Sequence, residues 1–316
     1  MRIVSLLPSA TEILYALGAE DEIVGLSHDS DYPPEVRRKP LVSSSTVTDE
    51  MSSAEIDQAV GETYHRGASI YHIDRSFLER EKPDLIIAQE LCQVCAVTSA
   101  EARRAAELAR SRARILSLEP STLADAIESI RTLGYAVDRS LEADRLVEQL
   151  LGRISAVAGR IGSVSRRPGV LCLGWLDPLI AEGHWLPELV ELAGGRDLLG
   201  EAGGHSRRLT PEEVIACAPE VVVLMPCSFS LQRTLAEAHM LSGMPGWGEL
   251  PAVRAGRLYA VDSGYFSRPG PRLATGLEIL AHCFHPTRFV GPLPPGAAAQ
   301  LADGSTPAAA AFVPIG

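Results

Sequence analysis

The sequence predicts an α/β fold of two lobes with mostly parallel sheets, bridged by a long α-helix, with a ligand cleft between the lobes. The first observation is a repeated block: apolar segments at 2–8, 82–88 and 113–118 are echoed in the same order at 169–175, 218–224 and 256–261. The second is that helical patterns separate these segments, as they do in parallel sheets. The third is the length of 316 residues, which suits two domains.

The first lobe is predicted over residues 1–120. Short apolar runs predict its strands near 2–7, 22–26, 84–88 and 113–118. Between them, residues 11–18 end in the glycine expected after a helix, and the Ala/Arg/Glu-rich residues 99–112 follow a capping-type Thr98-Ser99 pair. Strand and helix therefore alternate along this lobe.

The bridge is predicted over residues 121–168, and the second lobe over residues 169–285. Apolar positions recur with helical spacing up to about residue 161, which predicts one long helix with Gly134 as a candidate break, followed by a small Gly/Ser/Pro-containing joint. Residues 286–316 are rich in Pro, Ala and Gly with little periodic pattern, so a disordered or loosely attached tail is expected.

Composition excludes several classes of function. A net charge of −11 without a basic stripe argues against a nucleic-acid partner, and no apolar run approaches the roughly 18 residues of a membrane span. No nucleotide-binding glycine loop, nucleophile elbow or H-E-x-x-H motif occurs, so we expect neither an enzyme nor a required cofactor. No signal-peptide pattern follows Met1, which predicts a cytoplasmic protein; a periplasmic or other extracytoplasmic location is the alternative if a leader was removed.

The loops that follow the strands are the candidate ligand contacts, because ligands of open α/β sheets bind beyond the carboxyl ends of strands. Aromatic planes there suit a broad, flat ligand, and an arginine can pair with an amide, carboxylate or phosphate. A helix N-terminus also offers backbone N–H groups. The candidates are Pro8, Ser9, His28, Asp29, Tyr32 and Gln89 in the first lobe, and Trp175, Trp185, His205, Tyr265, Phe266 and Arg268 in the second.

Three cysteines form a candidate metal-binding or redox set. Cys92 and Cys95 make a C-x-x-C motif, and Cys227 stands at nearly the position of Cys92 in the repeated block. His28 or His205 could complete a sulfur and nitrogen ligand set, while ordinary buried or free thiols are the simpler interpretation. The alternative function is therefore a cysteine-based metallochaperone or a redox or metal-dependent enzyme that uses Cys92 and Cys95.

Five segments together resemble the class III, helical-backbone substrate-binding proteins of cobalamin and iron-siderophore ABC importers, and most closely the vitamin B12-binding branch. They are residues 2–18, 25–34, 82–86, 193–195 and 267–272. The resemblance implies two Rossmann-like lobes bridged by one helix. It also implies non-catalytic binding of a corrinoid, similar to cobalamin or cobinamide, or of a related metal chelate, either as an importer component or as a cytoplasmic offshoot of one.

The same resemblance implies which positions contact the ligand and the permease. Ligand contacts are expected at residues 28–32, Gln89, Trp175, His205 and residues 265–268. The family docks on its ABC permease through one surface acid in each lobe; Glu212 matches the second acid, whereas Ser76 stands at the position of the first.

Overall fold

The computed structural model describes residues 1–90, 96–302 and 312–315. In the first lobe, strands and helices alternate as the sequence predicts. Its elements are β1 (Ile3–Ser5), α1 (Pro8–Ala16), β2 (Ile23–Leu26), β3 (Ser43–Ser45), α2 (Ser53–His65), β4 (Tyr71–Ile73), α3 (Arg75–Glu81), β5 (Leu85–Ala88), α4 (Ser99–Leu108) and β6 (Arg114–Ser117).

The central sheet of this lobe is fully parallel, in the order β2-β1-β5-β6. Strands β3 and β4 pair with each other in an antiparallel ribbon outside it, and α2 lies between them in the chain. A capping box starts α2: the Ser52 hydroxyl accepts from the Glu55 N–H, and the Glu55 carboxylate accepts from the Ser52 N–H. Residues 46–65, which run from the end of β3 through α2, are therefore not part of the central sheet.

The bridge consists of α5 (Leu123–Ala136) and α6 (Ser140–Ile161) rather than one uninterrupted helix. The break falls at residues 137–139, after Gly134, where Asp138 has a φ of 56° and the Arg139 N–H donates to the Gly134 carbonyl. The predicted long bridging helix is therefore α6, whose 22 residues span about 33 Å. Gly134 stays helical, and the left-handed residue four positions later makes the turn.

The second lobe continues the alternation and adds antiparallel edges to its sheet. Its elements are β7 (Gly169–Leu176), β8 (Leu179–Ala181), α7 (Leu186–Leu192), β9 (Arg196–Asp197), β10 (Arg207–Arg208), α8 (Pro211–Cys217), β11 (Val221–Leu224), α9 (Leu231–Glu237), α10 (Pro251–Arg254), β12 (Leu258–Val261), α11 (Leu273–Phe284), β13 (Ala298–Leu301) and β14 (Phe312–Pro314).

The repeated block seen in the sequence is a repeated sheet. In the first lobe β1, β5 and β6 are neighbours in that order, and in the second lobe β7, β11 and β12 are neighbours in the same order, parallel throughout. The predicted fold class, two α/β lobes with mostly parallel sheets, is confirmed.

The described part of the predicted tail is ordered structure, so the expectation of a disordered tail over 286–316 is wrong there. Strand β13 pairs antiparallel with β12, and β14 pairs with β13. The side chains of Ala298, Ala299, Leu301 and Phe312 are at most 8% exposed. The prediction failed because small alanines give little periodic signal, although here they extend the sheet beyond β12.

Both bridging helices pack on both lobes. The N-terminal part of α5 packs in the second lobe's core through Leu123 and Ala126, and its C-terminal part packs in the first through Ile130 and Leu133. Helix α6 runs the other way, with Val147 and Leu150 in the first core and Val157 and Ile161 in the second. Within the described residues, no helix is both long enough and apolar enough to cross a membrane.

Candidate ligand-binding site

A cavity of about 520 Å³ lies between the lobes, within the usual range of about 300–1,000 Å³ for small-molecule sites. One wall is formed by residues after β1, β2, β5 and β6 together with the segment from β3 to β4 that includes α2. The other wall is formed by residues at the ends of β7 and β11, in and after β8, and after β12. Much of the lining is apolar or aromatic: Leu7, Val47, Ile56, Val60, Ile70, Tyr71, Ala96, Leu118, Trp175, Ile180, Leu186 and Phe229.

On the first-lobe wall, the predicted residues Pro8, Ser9, His28, Asp29 and Gln89 all line the cavity. His28 is already engaged by its own lobe: its Nδ1 atom lies 2.9 Å from the Ser43 hydroxyl and its Nε2 atom 3.5 Å from the Asp29 carboxylate. Burial raises the pKa of Asp29. These contacts orient the His28 ring along the wall.

On the second-lobe wall, Trp175 and Phe229 form an aromatic pair with ring centroids 5.2 Å apart and planes inclined at 61°. Trp175 is the second-last residue of β7, and Phe229 follows β11, so neighbouring parallel strands place the two rings side by side. Trp185 also lines the cavity, but its side chain is 4% exposed and its indole N–H donates to the Phe266 carbonyl at 2.8 Å. Trp175 and Phe229 are thus the aromatic surface, with Trp185 supporting the wall.

Two histidines of the second lobe meet at the cavity. The rings of His184 and His205 lie 5.4 Å apart in an edge-to-face arrangement, and both residues line the cavity. Close backbone packing holds them, because the His184 N–H donates to the Gly204 carbonyl and a Cβ on Gly183 would lie 2.6 Å from that oxygen. Burial, with a smaller effect from His205, lowers the pKa of His184 and favours its neutral imidazole.

Arg268 lines the cavity, but its guanidinium is held by acids of the opposite lobe. It donates to Glu12 at 3.2 Å, to the Asp31 carboxylate, and to the Asp29 carbonyl at 3.1 Å. Burial alone would lower the pKa of Arg268, yet the contacts with Asp31 and Glu12 raise it. The same guanidinium holds the pKa of Asp31 below its usual value despite burial.

Three of the predicted residues lie outside the cavity lining. Tyr32 and Tyr265 both lie near Arg272, whose guanidinium carbon is 4.3 Å from the first ring centroid and 5.2 Å from the second. Phe266 is 1% exposed and packs in the second lobe's core. The structure therefore gathers nine of the twelve predicted ligand residues along one cavity; that they contact a ligand stays a prediction.

Residues 49–57 of the first lobe lie across the cleft and are tied to the second lobe; we call them the crossing segment. Trp175 donates its indole N–H to the Ser53 carbonyl at 3.1 Å, and the Ser53 N–H donates to Glu237 at 3.1 Å. Arg233 donates to the Met51 carbonyl at 2.7 Å and lies 3.3 Å from Asp49; Arg208 lies 2.6 Å from Asp57.

Sequence reasoning missed several residues of the lining, above all Phe229, Ile56 and Arg233. The Ser52-x-x-Glu55 pattern is a capping-box signature that would have revealed α2 and the apolar Ile56 on it. Phe229 and Arg233 carry no such local signal, because only the pairing of β11 with β7 brings them beside Trp175.

The candidate metal set is only partly within the described residues. Cys92 and Cys95 lie outside them, so their predicted role stays a prediction. Cys227 lines the cavity, as its position in the repeated block suggests, and its N–H donates to the Gly174 carbonyl at 3.1 Å. Across the described ranges, no group of three or more His, Cys, Asp or Glu side chains is arranged to hold a metal ion.

Comparisons with known proteins agree with this geometry. Residues 3–265 match the periplasmic binding protein family. An uncharacterized ABC transporter substrate-binding lipoprotein, YvrC of Bacillus subtilis, is 26% identical over 91% of this chain and 81% of its own length. The vitamin B12-binding protein of Vibrio cholerae is 24% identical over 88% and 86%, respectively.

A solved structure extends the comparison to the fold. A periplasmic heme-binding protein from Pseudomonas aeruginosa superimposes with a TM-score of 0.71 at 22% identity, covering 96% of this chain and 98% of its own. Together with the two-lobed architecture and the cavity between the lobes, the family match gives a clear assignment. The chain belongs to the periplasmic binding protein family, as a non-enzymatic substrate-binding protein of the ABC-importer type.

Proposed function

We propose that this protein binds a corrinoid or a related tetrapyrrole-type metal chelate between its lobes. The observation that carries the proposal is the cavity itself, where a Trp175–Phe229 aromatic surface faces a first-lobe wall that combines apolar side chains with polar ones such as His28 and Gln89. Broad planar ligands gain affinity mainly from such aromatic and apolar contact. Relatives named for vitamin B12 and for heme support this ligand class.

The proposal places the protein outside the cytoplasmic membrane, where it would hand its ligand to an ABC permease. A cytoplasmic location was the first expectation from the sequence, but a relative named a lipoprotein and the periplasmic family favour the alternative. Glu212 is exposed in the first turn of α8 and remains the predicted docking acid of the second lobe.

An absorbance titration tests the ligand class. Purified, reduced protein is titrated with cobinamide, cobalamin and an iron porphyrin, after the spectrum and metal content of the isolated protein are recorded. We expect a saturable band shift with at least one of these chelates. Trp175→Ala should raise the dissociation constant of that chelate about tenfold, which corresponds to the binding free energy of one lost aromatic contact.

Tyr64→Ala is the matched control, because Tyr64 is an aromatic residue of α2 that is 67% exposed. It should leave the affinity unchanged. If none of the three chelates produces a saturable shift in the native protein, the proposed ligand class is wrong. An equal loss of affinity in both variants would show that the aromatic wall is not the binding surface.

A further inference from the structure

Within the described residues, three arginines line the cavity, and they fall into two kinds. Arg268 pairs with the exposed Asp31 and also with Glu12, a carboxylate with a side chain only 2% exposed, and the Glu12 pair is a fixed part of the interior. Arg208 and Arg233 instead meet acids of the crossing segment, Asp57 and Asp49, whose side chains are 28% and 99% exposed. Arg233 also lies 3.9 Å from Glu237 of its own helix, which stays in place when the crossing segment moves. The partners in the crossing segment therefore lie in or near solvent.

Arg233 is oriented before any ligand arrives. Its guanidinium carbon lies 3.7 Å from the centroid of the Phe229 ring, and its side chain is 17% exposed. Stacking on an aromatic face fixes the plane of a guanidinium while leaving its in-plane N–H donors available. The contact with Asp49 is weak, because an ion pair with a fully exposed carboxylate gains little over hydration.

Arg208 lies on β10, the edge strand beside β8, and pairs with Asp57 of α2 at 2.6 Å. Its side chain is 63% exposed. Asp57 and Asp49 are at opposite ends of the crossing segment, so each arginine holds one end of it. The guanidinium groups of Arg208 and Arg233 thus line the cavity, and each already pairs with a carboxylate of the crossing segment.

We propose that Arg208 and Arg233 recognise free carboxylates on the rim of the bound chelate, and that these carboxylates replace Asp57 and Asp49. This inference rests on the proposed function and names the chemistry of its ligand: an anionic, carboxylate-bearing chelate rather than one whose rim carries only amides. The crossing segment then mimics the ligand's anionic groups while the cleft is empty, and ligand binding releases it from the two arginines.

Charge complementarity explains why the exchange favours the ligand. A ligand carboxylate beside Arg233 would sit against the Phe229 face, partly shielded from water, where charge-assisted hydrogen bonds are stronger than at the surface. Asp49 competes from solvent and loses little when displaced. Selectivity between acid and amide rims follows, because an amide cannot form the same charged pair.

The experiment compares iron deuteroporphyrin, which has two carboxylates, with its neutral dimethyl ester and with cobinamide, on the full-length protein. Arg233→Met and Arg208→Met should each weaken binding of the diacid roughly ten- to hundredfold, as expected for a lost charged hydrogen bond. Binding of the ester should change less than about threefold in the same variants. Asp57→Asn should tighten diacid binding up to about fivefold by removing a competitor.

Arg254→Met is the matched control, since Arg254 is an exposed arginine on the outer side that pairs with Glu249. It should leave both affinities unchanged. If Arg233→Met fails to fold, Arg208→Met carries the test, because Arg208 is mostly exposed. Equal binding of diacid and ester, unaffected by either arginine, overturns the inference while the proposed function stands; failure of all three chelates to bind overturns both.

Discussion

Glu12 shows how a single buried charge connects the two lobes. It lies in α1 of the first lobe with a side chain 2% exposed, and it accepts hydrogen bonds from Arg268 at 3.2 Å and from Arg272 at 2.6 and 2.9 Å. Both arginines belong to the loop between β12 and α11 of the second lobe. A buried carboxylate of this kind is tolerated only while its partners remain in place.

Replacing Glu12 with Gln should therefore destabilise the protein markedly. The variant leaves two guanidinium groups, each 13% exposed, without their shared anion, which should lower the free energy of unfolding by at least about 2 kcal/mol. Chemical denaturation measures the change. The control is Glu220→Gln, which removes an exposed ion pair with Arg166 and should lower the free energy of unfolding by less than about 1 kcal/mol. Equal losses of unfolding free energy in the two variants would contradict the central role of Glu12.

His184 should make the folded state sensitive to mild acid. Burial lowers its pKa below the ordinary value of 6.5, so near that pH the unfolded chain binds a proton that the folded protein does not. Stability should fall as the pH drops from about 7 to about 5. Burial also lowers the pKa of His285, so His184→Gln should reduce this dependence without abolishing it.

Thermal unfolding at several pH values tests this expectation. His72→Gln is the control, because His72 is exposed in β4, and it should keep the native pH profile. A His184→Gln variant whose melting temperature falls with acid as steeply as that of the native protein would show that the imidazole does not govern the effect.

Residues that depend on local sequence rules are predicted well, and residues that depend on strand pairing are not. Pro8, Ser9 and Trp175 follow or end apolar strands, so the rule for α/β sheets correctly predicts that they lie at the cleft. The same rule puts Phe266 there, yet its apolar ring is more stable in the core beneath Trp185. Phe229 and Arg233 need the lateral order of β7 and β11, which no single segment encodes.

At the scale of elements, the crossing of α5 and α6 is decided by one glycine. A Cβ on Gly134 would lie 2.4 Å from the Ala143 Cβ and 3.1 Å from the Arg139 carbonyl. The sequence marks Gly134 as a place for the helix to break, whereas its function is to let α6 approach α5 closely. Helix periodicity alone cannot separate these two uses of glycine.

Gly134→Ala should destabilise the protein even though alanine favours helices. The added methyl group must push α6 away from α5, at a cost of about 1–3 kcal/mol in the free energy of unfolding. Gly152→Ala in α6 is the matched control, because no atom lies within 4 Å of its added Cβ. That variant should gain about 0.5–1 kcal/mol. If both variants gain stability, the close packing at Gly134 is not required.

For the whole molecule, the two lobes share their cores through the bridge. Helices α5 and α6 each bury side chains in both lobes, and Ala274 of α11 in the second lobe packs in the first lobe's core. The ion pair of Arg153 with Glu278, at 2.6 Å, adds a contact between α6 and α11. Separate unfolding of one lobe would strip apolar surface from the other, which makes an independent lobe costly.

We therefore expect the lobes to unfold together, unlike two domains joined by a flexible linker. All three tryptophans, at 175, 185 and 247, lie in the second lobe. Trp185 and Trp247 are buried there, so their fluorescence reports on that lobe, whereas Trp175 also contacts Ser53 of the first lobe. Hydrogen exchange at the amides of α1 and β5 reports on the first lobe. In increasing denaturant the two signals should share one midpoint, because the bridge joins their cores. A fluorescence transition clearly separated from loss of protection in α1 and β5 would show that the shared helices do not couple the lobes.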